Sequence, residues 1–214
     1  MKSKDLYQAK TVVISTGASA KWLGIPSEKK YMNRGVSACA TCDGAFFKNV
    51  EVGVIGGGDT AMEEANFLTR FASKVYIIHR RDSFRASKIM IERTMKNPKI
   101  EVLWNSEVVE VLGDEKSMNA VMIKNSEKGE TYKKDLQGLF LAIGHKPNTD
   151  LFKGIINLNE TGYIETKPGS TYTNVPGVFA SGDVQDHVYR QAITAAGTGC
   201  MAAIDAERWL EANG

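Results

Sequence analysis

Val52-Gly53-Val54-Ile55-Gly56-Gly57-Gly58-Asp59-Thr60-Ala61 decides the fold. A short apolar run breaks at three consecutive glycines, and residues 59–69 then read as a helix, so a buried strand turns directly into a helix. The segment from Gly56 to Ala61 fits GxGxxA in the setting that a dinucleotide-phosphate fingerprint requires. Gly56 permits the tight turn, Gly58 lets main-chain N–H groups approach a pyrophosphate, and Ala61 allows close helix packing. Asp59 and Thr60 open the helix, whose N-terminus carries partial positive charge.

Outward from this turn, short β-branched runs alternate with helical stretches, the pattern of βαβ units and a mostly parallel sheet. Thr11-Val12-Val13-Ile14-Ser15 reads as a buried strand and residues 74–79 as another. Residues 87–95 read as a helix that stops at Asn97-Pro98. Between Ile100 and Tyr132 the alternation, broken at Gly113-Asp114 and Glu127-Lys128-Gly129, predicts an antiparallel meander. Leu139-Phe140-Leu141-Ala142-Ile143-Gly144 is again a buried strand. Loops follow Pro147, then Val178-Phe179-Ala180-Ser181-Gly182-Asp183, then a long helix over about residues 189–210. The fold class is α/β, with a Rossmann-like parallel sheet, an added antiparallel meander and helices on both faces.

About 20 residues beyond the fingerprint, a coenzyme with a free ribose 2′-hydroxyl wants an acidic residue. This sequence has His79-Arg80-Arg81 there, with Arg85 just after. Guanidinium forks suit a phosphate dianion, so the expectation is NADPH over NADH. The competing reading is a solvated basic turn. A nucleic-acid patch lacks both interleaved aromatics and a supporting basic field.

That field is absent because Lys and Arg number 27 against 25 Asp and Glu among 214 residues, a net charge of +2. Apolar residues make up 43% and charged residues 24%, which fits a globular protein and excludes a fibre or disordered tail. No apolar run approaches the length that spans a bilayer, and no membrane partner is expected. The charged start, Met1-Lys2-Ser3-Lys4-Asp5, lacks the apolar stretch of a secretory signal, and the expected location is the cytoplasm.

Two of the three cysteines form a CxxC, Cys39-Ala40-Thr41-Cys42, followed by Asp43-Gly44. In a reducing compartment this spacing points to metal or redox chemistry. Zinc needs two further ligands, and Cys200, His79, His145 and His187 show no ligand spacing; no metal is expected. Cys200, among Gly199, Met201, Ala202 and Ala203, reads as a buried small hydrophobe. A thioredoxin-type CxxC opens a helix after a strand, but Arg34-Gly35-Val36-Ser37 is too short and polar for a convincing central strand. A dithiol upstream of a nucleotide fingerprint favours a reductase. NADPH delivers a hydride and a disulfide takes an electron pair with separate protons, so a flavin is the usual bridge. An ionised Asp43 would raise a thiol pKa, so it suits proton transfer rather than thiol activation; a turn or capping Asp is the alternative.

Three motifs occur in order: the segment Cys39 to Gly44, the segment Gly56 to Ala61, and His79-Arg80-Arg81-Asp82-Ser83-Phe84-Arg85-Ala86. With Gly182-Asp183-Val184-Gln185-Asp186 and Tyr189-Arg190-Gln191-Ala192 they resemble the low-molecular-weight, bacterial-type thioredoxin reductases over essentially the whole chain. The resemblance implies NADPH and FAD as cofactors, thioredoxin as partner, and a homodimer at full length. It implies that Cys42 faces the flavin, Cys39 exchanges with thioredoxin and Asp43 is the associated acid. Arg80, Arg81 and Arg85, beside His79, would hold the 2′-phosphate. Asp183, in the stretch running through Val184, Gln185 and Asp186, would bond the ribityl or phosphate portion of FAD, and Arg190, Gln191 and Ala192 would line its ring.

The implied domains are an FAD-domain segment over residues 1–21, an NADPH domain with the CxxC over 22–144, and a further FAD-domain segment over 145–214. Such a family also carries a second strand–GxGxxG–helix, and this sequence has one fingerprint. At roughly 30 residues each, at least two βαβ units are missing. The expectation is a shortened reductase that keeps NADPH binding, holds FAD weakly or not at all, and exposes a sheet edge and apolar surface. The alternatives are the flavoprotein subunit of an alkyl hydroperoxide reductase, a non-catalytic NADP(H)-binding fragment, and a dithiol module without nucleotide.

Overall fold

A computed structural model describes residues 6–214. The charged start from Met1 to Asp5, on which the absence of a signal was read, lies outside the described residues. In chain order the elements are β1 (Val12–Ile14), β2 (Ala18–Ala20), α1 (Pro26–Tyr31), β3 (Val36–Ser37), α2 (Ala40–Asp43), β4 (Glu51–Ile55), α3 (Asp59–Leu68), β5 (Lys74–Ile78) and α4 (Lys88–Met95). Then come β6 (Ile100–Leu103), β7 (Ser106–Gly113), β8 (Met118–Asn125), β9 (Glu130–Asp135), β10 (Gly138–Leu141), β11 (His145–Pro147), β12 (Val178–Ala180) and α5 (Ala192–Asn213). They form two compact units, Ala20–Gly144 and a second made of the residues up to Ser19 with His145–Gly214.

In the first unit, β3-β10-β4-β5-β6 form one five-stranded sheet whose pairings are all parallel. Strand alternation sorts its side chains onto two faces. Val52, Val54, Val75, Ile77 and Phe140 point to the side where α3 lays down Ala61, Met62, Ala65 and Leu68. That i, i+1, i+4, i+7 stripe is why residues 59–68 hold as a helix. Tyr76, Ile78, Leu139 and Leu141 point the other way, against Val108, Val111, Met118, Val121 and Ile123 of the antiparallel β7-β8-β9 sheet and Tyr31 of α1.

One expectation is corrected here. Residues 100–103 do not belong to the meander: β6 pairs in parallel with β5, Ile100 opposite Val75 and Val102 opposite Ile77, and forms the edge of the main sheet. Four residues, none of them fully buried, suit either sheet, and the choice is made by a partner strand some 25 residues away. The short Val36-Ser37 is a real strand, but at the opposite edge, where two residues of pairing to β10 suffice.

In the second unit, β1 pairs in parallel with β12, and α5 packs on both. Its core gathers Ile14, Ile156, Ile164, Ala180 and Val184. Val12 and Val13, read as buried, are 48% and 43% exposed, because β1 has β12 as its one described partner and only Ile14 turns into the core. The long helix starts at Ala192 rather than near 189, because Arg190 takes a left-handed φ of 49° and Gln191 is the N-cap. Ile193, Met201 and Ile204 lie exposed along α5. Cys200 is exposed as well and unpaired, not the buried hydrophobe expected from its neighbours, because Ala202 is the one residue of α5 that is fully buried. No described helix is long and apolar enough to cross a membrane.

Candidate functional site

The fingerprint turn leaves β4 at Ile55 and enters α3 at Asp59. A Cβ at Gly56 would lie 2.6 Å from the Ala142 carbonyl oxygen and 2.7 Å from the Ala61 Cβ, so the glycine and the alanine are needed for one another. A Cβ at Gly57 would fall 2.2 Å from Cε1 of His79, whose imidazole lies over this turn. Gly58, the N-cap of α3, faces nothing closer than Nε of Arg85 at 3.7 Å.

His79 follows the end of β5 and anchors the next loop. Its N–H donates to Leu103 O (3.0 Å), its carbonyl accepts from Ser106 N–H (2.9 Å), and its Nε2 lies 3.0 Å from Ser83 O. Burial pushes the imidazole pKa down, and the neighbouring Arg81 and Arg80 charges add to this, against the raising effect of hydrogen bonds to Ser83 and Gly56. Phe84 packs at a tilt against Trp104, ring centroids 4.3 Å apart, and sits beside the His79 ring. Arg85 N–H then donates to Gly57 O at 2.9 Å, which ties the arginine loop to the fingerprint.

A cleft of about 570 Å³ lies within this unit, lined by Gly56, Gly57, His79, Arg80, Arg81 and Arg85. Trp22, Leu23, Ile25 and residues 106–109 line it as well. The buried Glu28 carboxylate accepts the N–H groups of Leu23 (2.8 Å) and Gly24 (3.0 Å), which pins part of that lining to α1. Arg80, Arg81 and Arg85 are exposed, and among the described residues none of them pairs with a carboxylate. Three free guanidiniums beside a glycine turn fit a phosphorylated nucleotide.

Ala61 is fully buried under the turn, and Asp59 spends its carboxylate on Ser87, as described below. Gly57 and Trp22 also line the cleft; Gly57 is marked by the fingerprint itself, whereas Trp22 carries no local signal.

Cys39 and Cys42 are joined as a disulfide, with Cα atoms 5.3 Å apart, and the pair does open a helix after a strand. Cys39 is the N-cap of α2 and its Sγ accepts the Cys42 N–H at 3.2 Å, with Thr41 Oγ1 3.3 Å away. Cys42 is exposed and Asp43 half-buried. Thiol titration of the oxidised chain is expected to count one group, Cys200, and three after reduction; three without reductant would exclude the pairing.

In the second unit, Gly182 takes a φ of 71° and its N–H donates to Thr198 Oγ1 at 2.9 Å, which sets Asp183 at the start of a turn beneath α5. The Asp183 carboxylate has no hydrogen-bond donor among the described residues. Burial first, and the Asp186 charge second, push its pKa up, against Arg190 and His145. Asp186 differs. Burial pushes it up, but the N–H groups of Tyr189, Arg190 and Val188 and the Thr194 hydroxyl outweigh this and hold it low. Asp186 thus closes the 187–190 turn, and Gln191 caps α5. The Val184 side chain is in the core and offers a ligand only its main chain.

A group whose folded pKa is raised adds stability below the unfolded value and loses it as pH rises through the folded value. At neutral pH the ionised Asp183 is therefore unfavourable. Asp183→Asn is expected to raise the melting temperature at pH 7, with the difference vanishing below the ordinary carboxylate value of 3.8. Paired thermal melts check this, and a lower melting temperature for the variant at pH 7 would contradict it.

Residues 2–199 match the family described as pyridine nucleotide-disulphide oxidoreductase. A thioredoxin reductase of Rickettsia bellii is 58% identical over 97% of this chain, which covers 68% of the relative. Thioredoxin reductase 2 of Arabidopsis thaliana is also 58% identical, over 95% of this chain and 55% of its own length. Among solved structures, the Streptococcus pyogenes thioredoxin reductase superposes with a TM-score of 0.93 at 42% identity, covering 98% of this chain and 69% of that one. The chain thus spans between about half and two thirds of the length of these relatives.

Proposed function

We propose that this chain, which belongs to the pyridine nucleotide-disulphide oxidoreductase family and within it to the thioredoxin reductases, works as a flavin-dependent NADPH:protein-disulfide oxidoreductase with thioredoxin as its substrate. One observation carries the reading: a glycine turn and three unpaired guanidiniums share one cleft in the same unit as a disulfide at a helix start. The cleft suits NADPH, with Arg80, Arg81 and Arg85 on the 2′-phosphate and the turn at the pyrophosphate. Asp183, an acceptor without a protein donor, suits a ribityl hydroxyl of FAD better than a phosphate, which its charge would repel. Described residues 6–214 carry no second glycine fingerprint for the adenylate half of FAD.

When bound, NADPH supplies a hydride and FAD relays it as an electron pair to the disulfide. Two electrons and two protons open the Cys39–Cys42 bond into two thiols. The Cys42 N–H and the Thr41 hydroxyl sit where they stabilise a thiolate on Cys39, so Cys39 is the group that attacks the thioredoxin disulfide. One thioredoxin sulfur leaves as a thiol, taking a proton. Cys42 then resolves the mixed disulfide, which restores the Cys39–Cys42 bond and releases the second thioredoxin thiol. Asp43, at the end of α2, holds and returns a proton during this exchange. A dithiol kept reduced in this way belongs to a reducing compartment, the cytoplasm, and the full-length enzyme is read as a homodimer.

Relatives named thioredoxin reductase favour this over the peroxide-reductase flavoprotein and the silent fragment. The test supplies FAD and thioredoxin to the purified chain and follows NADPH oxidation. Turnover that is lost in both Cys39→Ser and Cys42→Ser is the expected result. Failure of the folded chain to bind NADPH overturns the reading.

A further inference from the structure

The arginine loop, from His79 to Ser87, is held at three places. At its start, His79 is bound to Leu103 and Ser106, and Arg81 O accepts Asn105 N–H at 3.2 Å. Near its end, Arg85 N–H donates to Gly57 O. At its last residue, Ser87 gives both its N–H (2.8 Å) and its hydroxyl (2.9 Å) to one carboxylate oxygen, Oδ1 of Asp59. Ser87 is also the N-cap of α4, and no side chain caps its own helix there. Asp59 thus stands in the first turn of α3, directly after the glycines, and reaches across 28 positions to fasten the loop that carries Arg80, Arg81 and Arg85.

This placement removes a contradiction. A carboxylate one residue past a pyrophosphate-binding turn would repel an anionic coenzyme, yet two hydrogen bonds direct it toward Ser87. We infer that Asp59 is a positioning residue that sets the coenzyme's 2′-phosphate selectivity by pre-ordering the arginine loop. It does this without touching the 2′-phosphate itself. The inference rests on the proposed role of Arg80, Arg81 and Arg85. An anion held by several arginines needs the loop that carries them to be ordered, and a loop fixed in advance lowers that backbone cost.

The probes are 2′,5′-ADP and 5′-AMP, titrated against the unaltered chain, Asp59→Ala and Asp59→Asn, with thermal melts to verify folding. The readout is the ratio of the two affinities. Any effect of the Asp59 charge on the shared 5′-phosphate cancels in that ratio, and a general loss of structure lowers both affinities together. Asp59→Ala is expected to lower the preference for 2′,5′-ADP by about tenfold, roughly the cost of re-fixing the backbone of one loop residue on binding. Asp59→Asn, whose amide oxygen still accepts from Ser87, restores most of it. An unchanged ratio in Asp59→Ala, or an Asp59→Asn protein as unselective as Asp59→Ala, overturns the inference. If the unaltered chain already shows no preference, it is the assignment of the arginines that fails.

Discussion

Alanine at Arg80, Arg81 and Arg85 together is expected to weaken NADPH binding on the order of 100- to 1,000-fold and to leave NADH binding nearly unchanged. Each charge-assisted hydrogen bond contributes roughly 1.5–3 kcal/mol, and three exposed contacts must be discounted for solvent screening. About 3–4 kcal/mol remains, and 1.4 kcal/mol is tenfold. The three side chains are available because no carboxylate among the described residues holds them in place. Their contribution also fades with added salt, since the cleft mouth is open to water. Parallel titrations with both coenzymes at low and high ionic strength check this. Equal losses for NADPH and NADH would mean that the cluster does not read the 2′-phosphate.

The three glycines of the turn are expected to fail in three different ways. Gly56→Ala places a methyl group against the Ala142 carbonyl and the Ala61 Cβ, neither of which is the end of a flexible side chain. Strand and helix must separate, at a cost of about 3 kcal/mol, and the coenzyme site goes with them. Gly57→Ala meets the His79 ring first, a side chain rather than backbone, and the ring must leave its contact with Ser83 O to make room. The fold then loses roughly 1 kcal/mol, while the displaced imidazole disturbs the arginine loop and NADPH binding drops sharply. Gly58→Ala has room, so it loses only the roughly 0.5–1 kcal/mol that separates alanine from glycine at an N-cap, and binding falls because a methyl group now stands where the pyrophosphate approaches. Denaturant unfolding and NADPH titration separate the cases. A Gly56→Ala chain as stable as the parent would show that the close approach of β4, β10 and α3 is not what the glycine is for.

Much of this site was legible in the linear sequence because its decisive parts are local. A strand running into three glycines and a helix needs no distant partner to be recognised, and the arginines follow within the next strand and loop. The CxxC likewise closes on itself, through a disulfide between residues three apart. What failed involved partners far along the chain. The segment Ile100 to Leu103 alternates equally well for a meander or a parallel edge, and β5 decides. Cys200 sits among small apolar residues whatever α5 faces, and its burial depends on what packs there.

The sequence by itself determined that a glycine turn, a basic loop and a CxxC pair lie close together along the chain, since backbone freedom at glycine, guanidinium charge and cysteine spacing are written residue by residue. Only the tertiary structure decided how they work together. It laid His79 over Gly57, brought Trp22 and residues 106–109 into one cleft with the arginines, and turned the Asp59 carboxylate to Ser87. Each of these depends on distances between elements that meet only when strands pair and helices pack, and no local pattern encodes them.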